Sequence, residues 1–122
     1  MGYRNGRPYR IHLKSIGGGK YLSAPAADAF NRMRAAAARQ GVTLTAVSGF
    51  RSMAQQQALW RKYGPPRAAR PGYSNHQSGV AVDIATNNSR NSAAYRWLAR
   101  NGRAYGFYNT VSYEPWHWEY RR

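Results

Sequence analysis

The stretch that decides the fold is SNHQSGVAVDIA, residues 74–85. Its second half alternates strictly, with valine and isoleucine side chains on one face of a predicted strand and Asp83 between two alanines on the other. Its first half has no such periodicity and is predicted to be a loop that contains His76. The sequence therefore predicts a strand that presents one carboxylate on a face of small side chains.

Around this strand, periodicity and capping signals predict three helices and two more strands. The second helix is expected to begin at a capping box, Ser52 with Gln55, and to end at Gly64, which two prolines follow. The other predicted elements are helices at 25–40 and 92–101 and strands at 42–48 and 116–120.

The last predicted strand places His117 and Glu119 on one face and three aromatic side chains on the other. The sequence contains no internal repeat and no linker-like stretch, and its 122 residues suffice for one core but not for two independent domains. We therefore predict a single α+β domain with a small, mostly antiparallel sheet and about three helices. Residues 1–20 are expected to be an irregular basic segment ahead of a domain at 21–122.

Composition narrows the chemistry that this domain can perform. A hydrophobic fraction of 43%, with four Trp and ten Tyr, favours a packed globular fold over a disordered chain. The chain contains no cysteine, which excludes disulfide scaffolds, thiolate zinc sites and cysteine nucleophiles. A metal ion in this protein must therefore be held by histidine and carboxylate side chains.

The charge of the chain is strongly unbalanced. Nineteen Lys and Arg stand against four acids, for a formal net charge of +15, which indicates a polyanionic partner. Nucleic acid, teichoic acid, lipopolysaccharide phosphates and anionic membrane surfaces all meet that requirement. The basic residues do not form one dense block, so the pattern predicts a generally cationic surface rather than a defined groove.

The few histidines and acids are clustered. Two of the three histidines and three of the four acids lie in two short segments, the stretch quoted above and one near the C-terminus. A catalytic zinc commonly takes three nitrogen or oxygen ligands, and His76, Asp83 and His117 supply such a set. Glu114 is then left as a free carboxylate for acid-base work. Singly, each ligand also has an ordinary interpretation: a loop histidine, an acid paired with Arg, a histidine among aromatics.

The spacing of three motifs favours the zinc site over these ordinary interpretations. In these motifs the sequence resembles the VanY-like zinc D-Ala-D-Ala carboxypeptidase family. The motif S-x-H-x-x-G-x-A-x-D matches residues 74–83, and E-x-W-H matches residues 114–117. A third motif, S-G-[YF]-R-S followed by a helix containing Gln, matches residues 48–52 and Gln57. The resemblance covers most of the chain, and it implies a hedgehog/DD-peptidase-like fold and a peptidase that cuts the peptide part of bacterial cell wall.

Carried over residue by residue, the resemblance implies roles for five side chains. One zinc ion is expected to be held by His76, Asp83 and His117. Glu114 is implied as the general base, which takes a proton from water and delivers it to the leaving amine. Arg51 is implied as the residue that stabilises the oxyanion or fixes the substrate, a role that suits its permanent charge and planar donor fork.

The resemblance also implies substrate contacts and a target. Ser74, Ser78 and Gln57 are expected to bind substrate, which would be a peptidoglycan stem peptide. The motifs favour a D-Ala-D-Ala carboxypeptidase, whereas the short cationic chain favours a phage endolysin that acts as an endopeptidase, for example at an L-Ala-D-Glu bond. Both alternatives stay open at this point.

The sequence also bears on location and partners. It shows no secretory signal and no stretch of about 20 apolar residues that could span a membrane. We therefore expect it to reach the bacterial cell wall as a phage lysin released from the host cytoplasm, or by export with its signal removed. We expect a monomer that binds anionic envelope polymers or lipopolysaccharide through its basic surface.

Two other functions compete with the peptidase. A hedgehog-like domain can carry zinc without catalysis, but Glu114 beside a full ligand set argues against such a binding module. A basic nucleic-acid-binding protein would use the same charge, with Tyr and Trp interleaved among Arg. Because no recognised nucleic-acid motif is present, we do not expect nucleic acid to be the partner.

Overall fold

The computed structural model describes residues 1–121 and contains three α-helices, a short 3₁₀ helix and eight strands. In chain order these are β1 (Gly2–Arg4), β2 (Arg7–Tyr9), β3 (Leu13–Gly17), β4 (Lys20–Ser23), α1 (Ala24–Arg39), β5 (Ala46–Ser48), α2 (Met53–Tyr63), β6 (Ala81–Ile84), α3 (Ala93–Asn101), the 3₁₀ helix (Gly102–Tyr105), β7 (Phe107–Tyr108) and β8 (His117–Tyr120). This content confirms the predicted α+β fold with three helices and small antiparallel sheets.

The central sheet has four antiparallel strands in the order β5-β6-β8-β7. In the pairing of β6 with β8, Val82 lies opposite Trp118, and Asp83 lies opposite His117. Because side chains alternate between the faces of a sheet, the first pair enters the core and the second pair lies on the other face. The sheet register therefore places a carboxylate and an imidazole side by side.

The core is formed between α1, α3 and the inner face of this sheet. It includes Phe30 and Met33 from α1, Leu98 from α3 and Val82 from β6, all almost fully buried. Phe30 meets Phe107 edge to face at a centroid distance of 6.2 Å. Burial of each such side chain contributes about 1.5–3 kcal/mol, so the core stabilises the sheet that carries the polar face.

The capping box predicted for the second helix is confirmed. Ser52 Oγ accepts a hydrogen bond from the backbone N–H of Gln55 at 3.1 Å, and Gln55 Oε1 accepts one from the N–H of Ser52 at 2.9 Å. The helix ends at Tyr63, and Gly64 then adopts a φ of +61°, which glycine tolerates without strain. This fixed helix start positions the residues just before it, including Arg51.

Residues 1–20 differ from the expectation of an irregular segment, because residues 2–23 form two β-hairpins, the second of which runs across residue 20. Strands β1 and β2 are joined by Asn5 and Gly6, which have φ values of +51° and +79°, as a tight two-residue turn requires. The strands are only three residues long and lack apolar alternation, which hides them from a pattern analysis. The division of the chain at residue 20 stays a prediction.

This first hairpin packs against the loop before β6. The N–H of Tyr3 donates to the carbonyl of Gln77, and the N–H of Gly6 donates to that of Gly72, both at 2.9 Å.

Strand β5 is shorter than predicted, since pairing begins only at Ala46. Within residues 1–121, no helix is both long and apolar enough to cross a membrane.

Candidate active site

Three side chains from different segments converge on the polar face of the sheet. His76 comes from the loop before β6, Asp83 from β6 and His117 from the start of β8. One ligand atom of each lies within 4.8 Å of the other two. The Nε2 atom of His76 lies 3.3 Å from Asp83 Oδ1, and the Nδ1 atom of His117 lies 3.5 Å from the same oxygen.

The atoms that face away from this cluster are all hydrogen-bonded. His76 Nδ1 lies 2.9 Å from the carbonyl oxygen of Gly49, and His117 Nε2 lies 2.8 Å from Glu119 Oε2. A carbonyl and a carboxylate can only accept, so both of these nitrogens carry protons. Ser48 Oγ donates to Asp83 Oδ2 at 2.8 Å. The inner imidazole nitrogens are therefore free to act as ligands.

The inner oxygen of Asp83 supports a metal-binding interpretation. Oδ1 is buried and has no hydrogen-bond partner, although a buried carboxylate oxygen without one is costly. It faces two imidazole nitrogens whose outer partners are already set. Two nitrogens and one oxygen are a ligand set that suits Zn²⁺, and the side chains therefore fit a divalent cation.

The buried carboxylates and imidazoles of the cluster shift one another's pKa values. Burial alone would lower the pKa of His117, but the adjacent carboxylates of Asp83 and Glu119 outweigh this effect and raise that pKa to about 9. Burial would likewise raise the pKa of Asp83, yet the adjacent imidazoles of His117 and His76 bring it well below its usual value. A metal ion must therefore compete with a proton at His117.

Glu114 lies beside the cluster. In a regular strand a three-residue step would point Glu114 and His117 to opposite faces, but the chain turns here, with the N–H of His117 donating to the Glu114 carbonyl at 3.1 Å. Asn109 Nδ2 donates to the carbonyls of both residues. The turn places Glu114 Oε1 3.7 Å from His117 Nδ1, beyond hydrogen-bonding distance, with 29% of the side chain exposed.

Arg51 is held on another side of the same cleft. Its backbone N–H donates to the His76 carbonyl at 3.0 Å, and Nη1 donates to Gln56 Oε1 at 3.0 Å. Burial lowers the pKa of Arg51, while the negative charges of Asp83 and Glu114 oppose that shift. Arg51 therefore offers a positioned cation across from the two carboxylates.

The cluster opens into a cleft with a volume of about 390 Å³. Its wall combines charged groups with aromatic side chains from three segments, and it includes Arg51, Ser74, Glu114, Tyr63, Tyr113 and Trp116. A ligand set, a free carboxylate, a fixed cation and an apolar wall are the parts needed to bind a small amide and hydrolyse it.

The residues predicted to bind substrate are placed differently. Ser74 lines the cleft, with its Oγ accepting from the N–H of His76 at 3.2 Å. Ser78 is buried and its Oγ donates to the Asn75 carbonyl, which is a bond within the loop. Gln57 is exposed and is not among the residues that line the cleft, whereas Gln56, about 100° around α2, is buried and lines it. Substrate binding by Gln57 therefore stays a prediction that this placement does not support.

Sequence reasoning gave no role to three residues that support the site. Gln56 holds Arg51 and donates to the Ala69 carbonyl at 2.8 Å, Ser48 holds Asp83, and Glu119 holds His117. The alternation of β8 puts Glu119 on the same face as His117, and this pattern could have identified Glu119 from the sequence. Ser48 begins a matched motif, but its position opposite Asp83 depends on the sheet register.

Comparison with known proteins agrees with this geometry. The family model for VanY, D-alanyl-D-alanine carboxypeptidase, matches residues 19–122. A D-alanyl-D-alanine carboxypeptidase of Enterococcus faecium is 30% identical over 113 aligned residues, covering 82% of this chain but 37% of the relative. The chain thus spans less than half the length of curated relatives such as this one.

Two solved structures share the fold. VanYB in complex with D-alanine-D-alanine is 27% identical with a TM-score of 0.73, over 98% of this chain and 84% of that one. A mutant VanY from a VanB-type resistance cassette, in complex with Zn(II), is 26% identical with a TM-score of 0.71, over 98% and 86% of the two chains.

Proposed function

We propose, from the premise that this chain belongs to the VanY D-alanyl-D-alanine carboxypeptidase family, that it is a zinc-dependent peptidase acting on peptidoglycan stem peptides. One observation carries the proposal. The inner atoms of His76, Asp83 and His117 converge with their outer atoms already hydrogen-bonded, and the carboxylate of Glu114 lies next to them without being part of the set.

His76 Nε2, Asp83 Oδ1 and His117 Nδ1 are the atoms that would hold the ion. Zn²⁺ bound by such a set supplies Lewis acidity, which polarises a carbonyl and makes water easier to deprotonate. The unpartnered Oδ1 of Asp83 and the chemistry of the three donors support zinc, as does the family relative crystallised with Zn(II).

Glu114 is proposed as the general base and acid. Hydrolysis forms a C–O bond, breaks the C–N bond, removes one proton from water and adds one to the departing nitrogen. Glu114 can accept the first proton and deliver the second, because its carboxylate lines the cleft and is not tied to the ligand set. Such transfer is typically worth a factor of about 10²–10⁴ in rate.

Arg51 is proposed to stabilise the negative charge that develops on the carbonyl oxygen, or to hold a substrate carboxylate. Its guanidinium has a planar fork of donors, and Gln56 fixes one of them. Ser74 is proposed to contact substrate, because it lines the same cleft.

The substrate class follows from the family rather than from the cleft. The solved structure of VanYB is in complex with D-alanine-D-alanine, which supports a D-Ala-D-Ala bond in the stem peptide as the substrate of this chain. An L-Ala-D-Glu endopeptidase activity is the alternative within the same proposal. The place of action is then the bacterial cell wall, reached after release as a phage lysin or by export.

The cationic surface is proposed to hold the enzyme on the wall. Three of the four acids lie in or beside the ligand cluster, and the fourth, Asp28, pairs with Lys14. The rest of the surface is therefore available to anionic envelope polymers or lipopolysaccharide, with the protein acting as a monomer.

Product analysis tests the proposed function. Zinc-loaded protein is incubated with purified peptidoglycan and with a soluble stem pentapeptide ending in D-Ala-D-Ala, and the products are identified by mass spectrometry. Release of free D-Ala indicates a carboxypeptidase, whereas loss of cross-links or of whole stem peptides indicates an endopeptidase. A lack of both products, with stoichiometric zinc bound, would refute the proposal.

A further inference from the structure

Glu119 is a buried carboxylate that the proposed reaction does not use. Only 4% of the residue is exposed. Its Oε2 atom accepts two hydrogen bonds, from His117 Nε2 at 2.8 Å and from Asn75 Nδ2 at 2.9 Å. A charge is buried this deeply only where its partners compensate for the loss of water, so these contacts point to a specific role.

We propose that Glu119 is a positioning residue that couples the two histidines of the metal site. Asn75 directly precedes His76, so a single carboxylate oxygen bonds to both segments that carry a histidine ligand. This inference rests on the proposed function, since it concerns how firmly the chain holds zinc.

At His117, the bond to Glu119 fixes the imidazole. Nε2 must carry the proton that it donates, which leaves the lone pair of Nδ1 directed toward Asp83 and the ligand cluster. The bond also sets the rotation of the ring. Removing a carboxylate partner of a metal-binding histidine typically weakens metal affinity about 10- to 100-fold.

At His76, the same carboxylate acts through the loop. The backbone of this loop is held by the first hairpin at Gln77 and by Arg51 at the His76 carbonyl. The side chain of Asn75 adds a direct tie to β8, the strand that carries the other histidine. Glu119 thereby sets the separation of two ligands that lie far apart in the sequence.

The shared bond predicts that the effects of Asn75 and Glu119 do not add. Loss of either side chain removes the hydrogen bond between them, so the second substitution has less left to remove. Asn75→Ala should weaken zinc binding about 2- to 10-fold, as expected for one ordinary hydrogen bond. The same substitution in a Glu119→Ala background should have a clearly smaller effect.

The experiment measures zinc dissociation constants by competition with a chromophoric chelator, at one pH. The variants are Glu119→Ala, Glu119→Gln, Asn75→Ala and the double Ala variant, with circular dichroism of the metal-free proteins as the check of folding. Asp28→Asn is the matched control, because it removes one carboxylate remote from the cluster. Gln keeps an oxygen that can accept both bonds, so Glu119→Gln should lose less affinity than Glu119→Ala.

We expect a loss of about 10- to 100-fold for Glu119→Ala, a smaller loss for Glu119→Gln, and no change for Asp28→Asn. Wild-type affinity in both Glu119 variants, or fully additive effects with Asn75→Ala, would overturn the inference. If Glu119→Ala does not fold, wild-type affinity in Asn75→Ala and Glu119→Gln would overturn it equally. Absence of zinc binding by the wild-type protein would instead refute the proposed function, and this inference with it.

Discussion

Replacing Glu114 with Gln is expected to separate catalysis from metal binding in this chain. The substitution keeps the size of the side chain, and 29% exposure lets water solvate the new amide. Glu114 Oε1 lies 3.7 Å from His117 Nδ1, too far to be a hydrogen bond that holds the ligand, so zinc affinity should change little. An amide cannot accept the proton of the attacking water. We therefore expect turnover to fall by a factor of about 10²–10⁴, which corresponds to roughly 3–5 kcal/mol of barrier.

The assay is the rate of D-Ala release, or of stem-peptide cleavage, from a soluble peptide at equal zinc occupancy. Asp28→Asn serves as the control, because it removes a carboxylate outside the cleft and should retain wild-type kcat/KM. Zinc content and circular dichroism establish that Glu114→Gln is folded and loaded. An unchanged rate in that protein would remove Glu114 from the mechanism and favour a non-catalytic zinc module.

Four further outcomes follow from the same geometry. His76→Ala should lose stoichiometric zinc, measured by metal analysis of the purified protein, and full retention would contradict the ligand set. Arg51→Lys should bind zinc normally but lose turnover about 10²–10³-fold, because it keeps the charge without the fork; wild-type turnover would exclude the role. Gln56→Ala should lower the free energy of unfolding by about 1–3 kcal/mol, since it removes the hydrogen bonds that Gln56 makes with the Ala69 carbonyl and with Arg51 Nη1. Gln57→Ala, at the exposed neighbouring position, should leave it unchanged, and equal denaturation midpoints for the two variants would refute this. Rising salt should slow cleavage of wall fragments more than cleavage of a soluble stem peptide, because salt screens attraction between surface charges beyond a Debye length of about 8 Å. Equal salt sensitivity of the two cleavage rates would count against recruitment by charge.

Much of the fold could be predicted because its local signals are strong. The alternation around Asp83 predicted a strand, and residues 81–84 form one. The Ser52 capping box predicted where α2 begins. By contrast, the first hairpin was missed although Asn5-Gly6 is a recognised turn signal, because its three-residue strands are too short to show a pattern.

The site was less predictable in its supporting residues than in its ligands. The motif spacing selected His76, Asp83 and His117, and the structure brings these three together, while their roles stay predictions. Gln57 was selected instead of Gln56 because a shift of one residue on a helix rotates a side chain by about 100°, and local sequence alone does not show which side faces the cleft. Support by Glu119 depends on how β8 packs against a distant loop.

The hairpin at residues 2–9 has a practical consequence for protein engineering. It lies outside the stretch that matches the family model, yet it bonds to the carbonyls of Gly72, Gln77 and Ser78 in the loop that carries His76. Gly2 is buried, and an added Cβ there would come within 3.0–3.2 Å of Tyr9 and the Gln77 carbonyl. Trimming the chain to the family match, or replacing Gly2 with a larger residue, would therefore disturb the backbone beside His76, and zinc affinities measured on such proteins would describe an altered site.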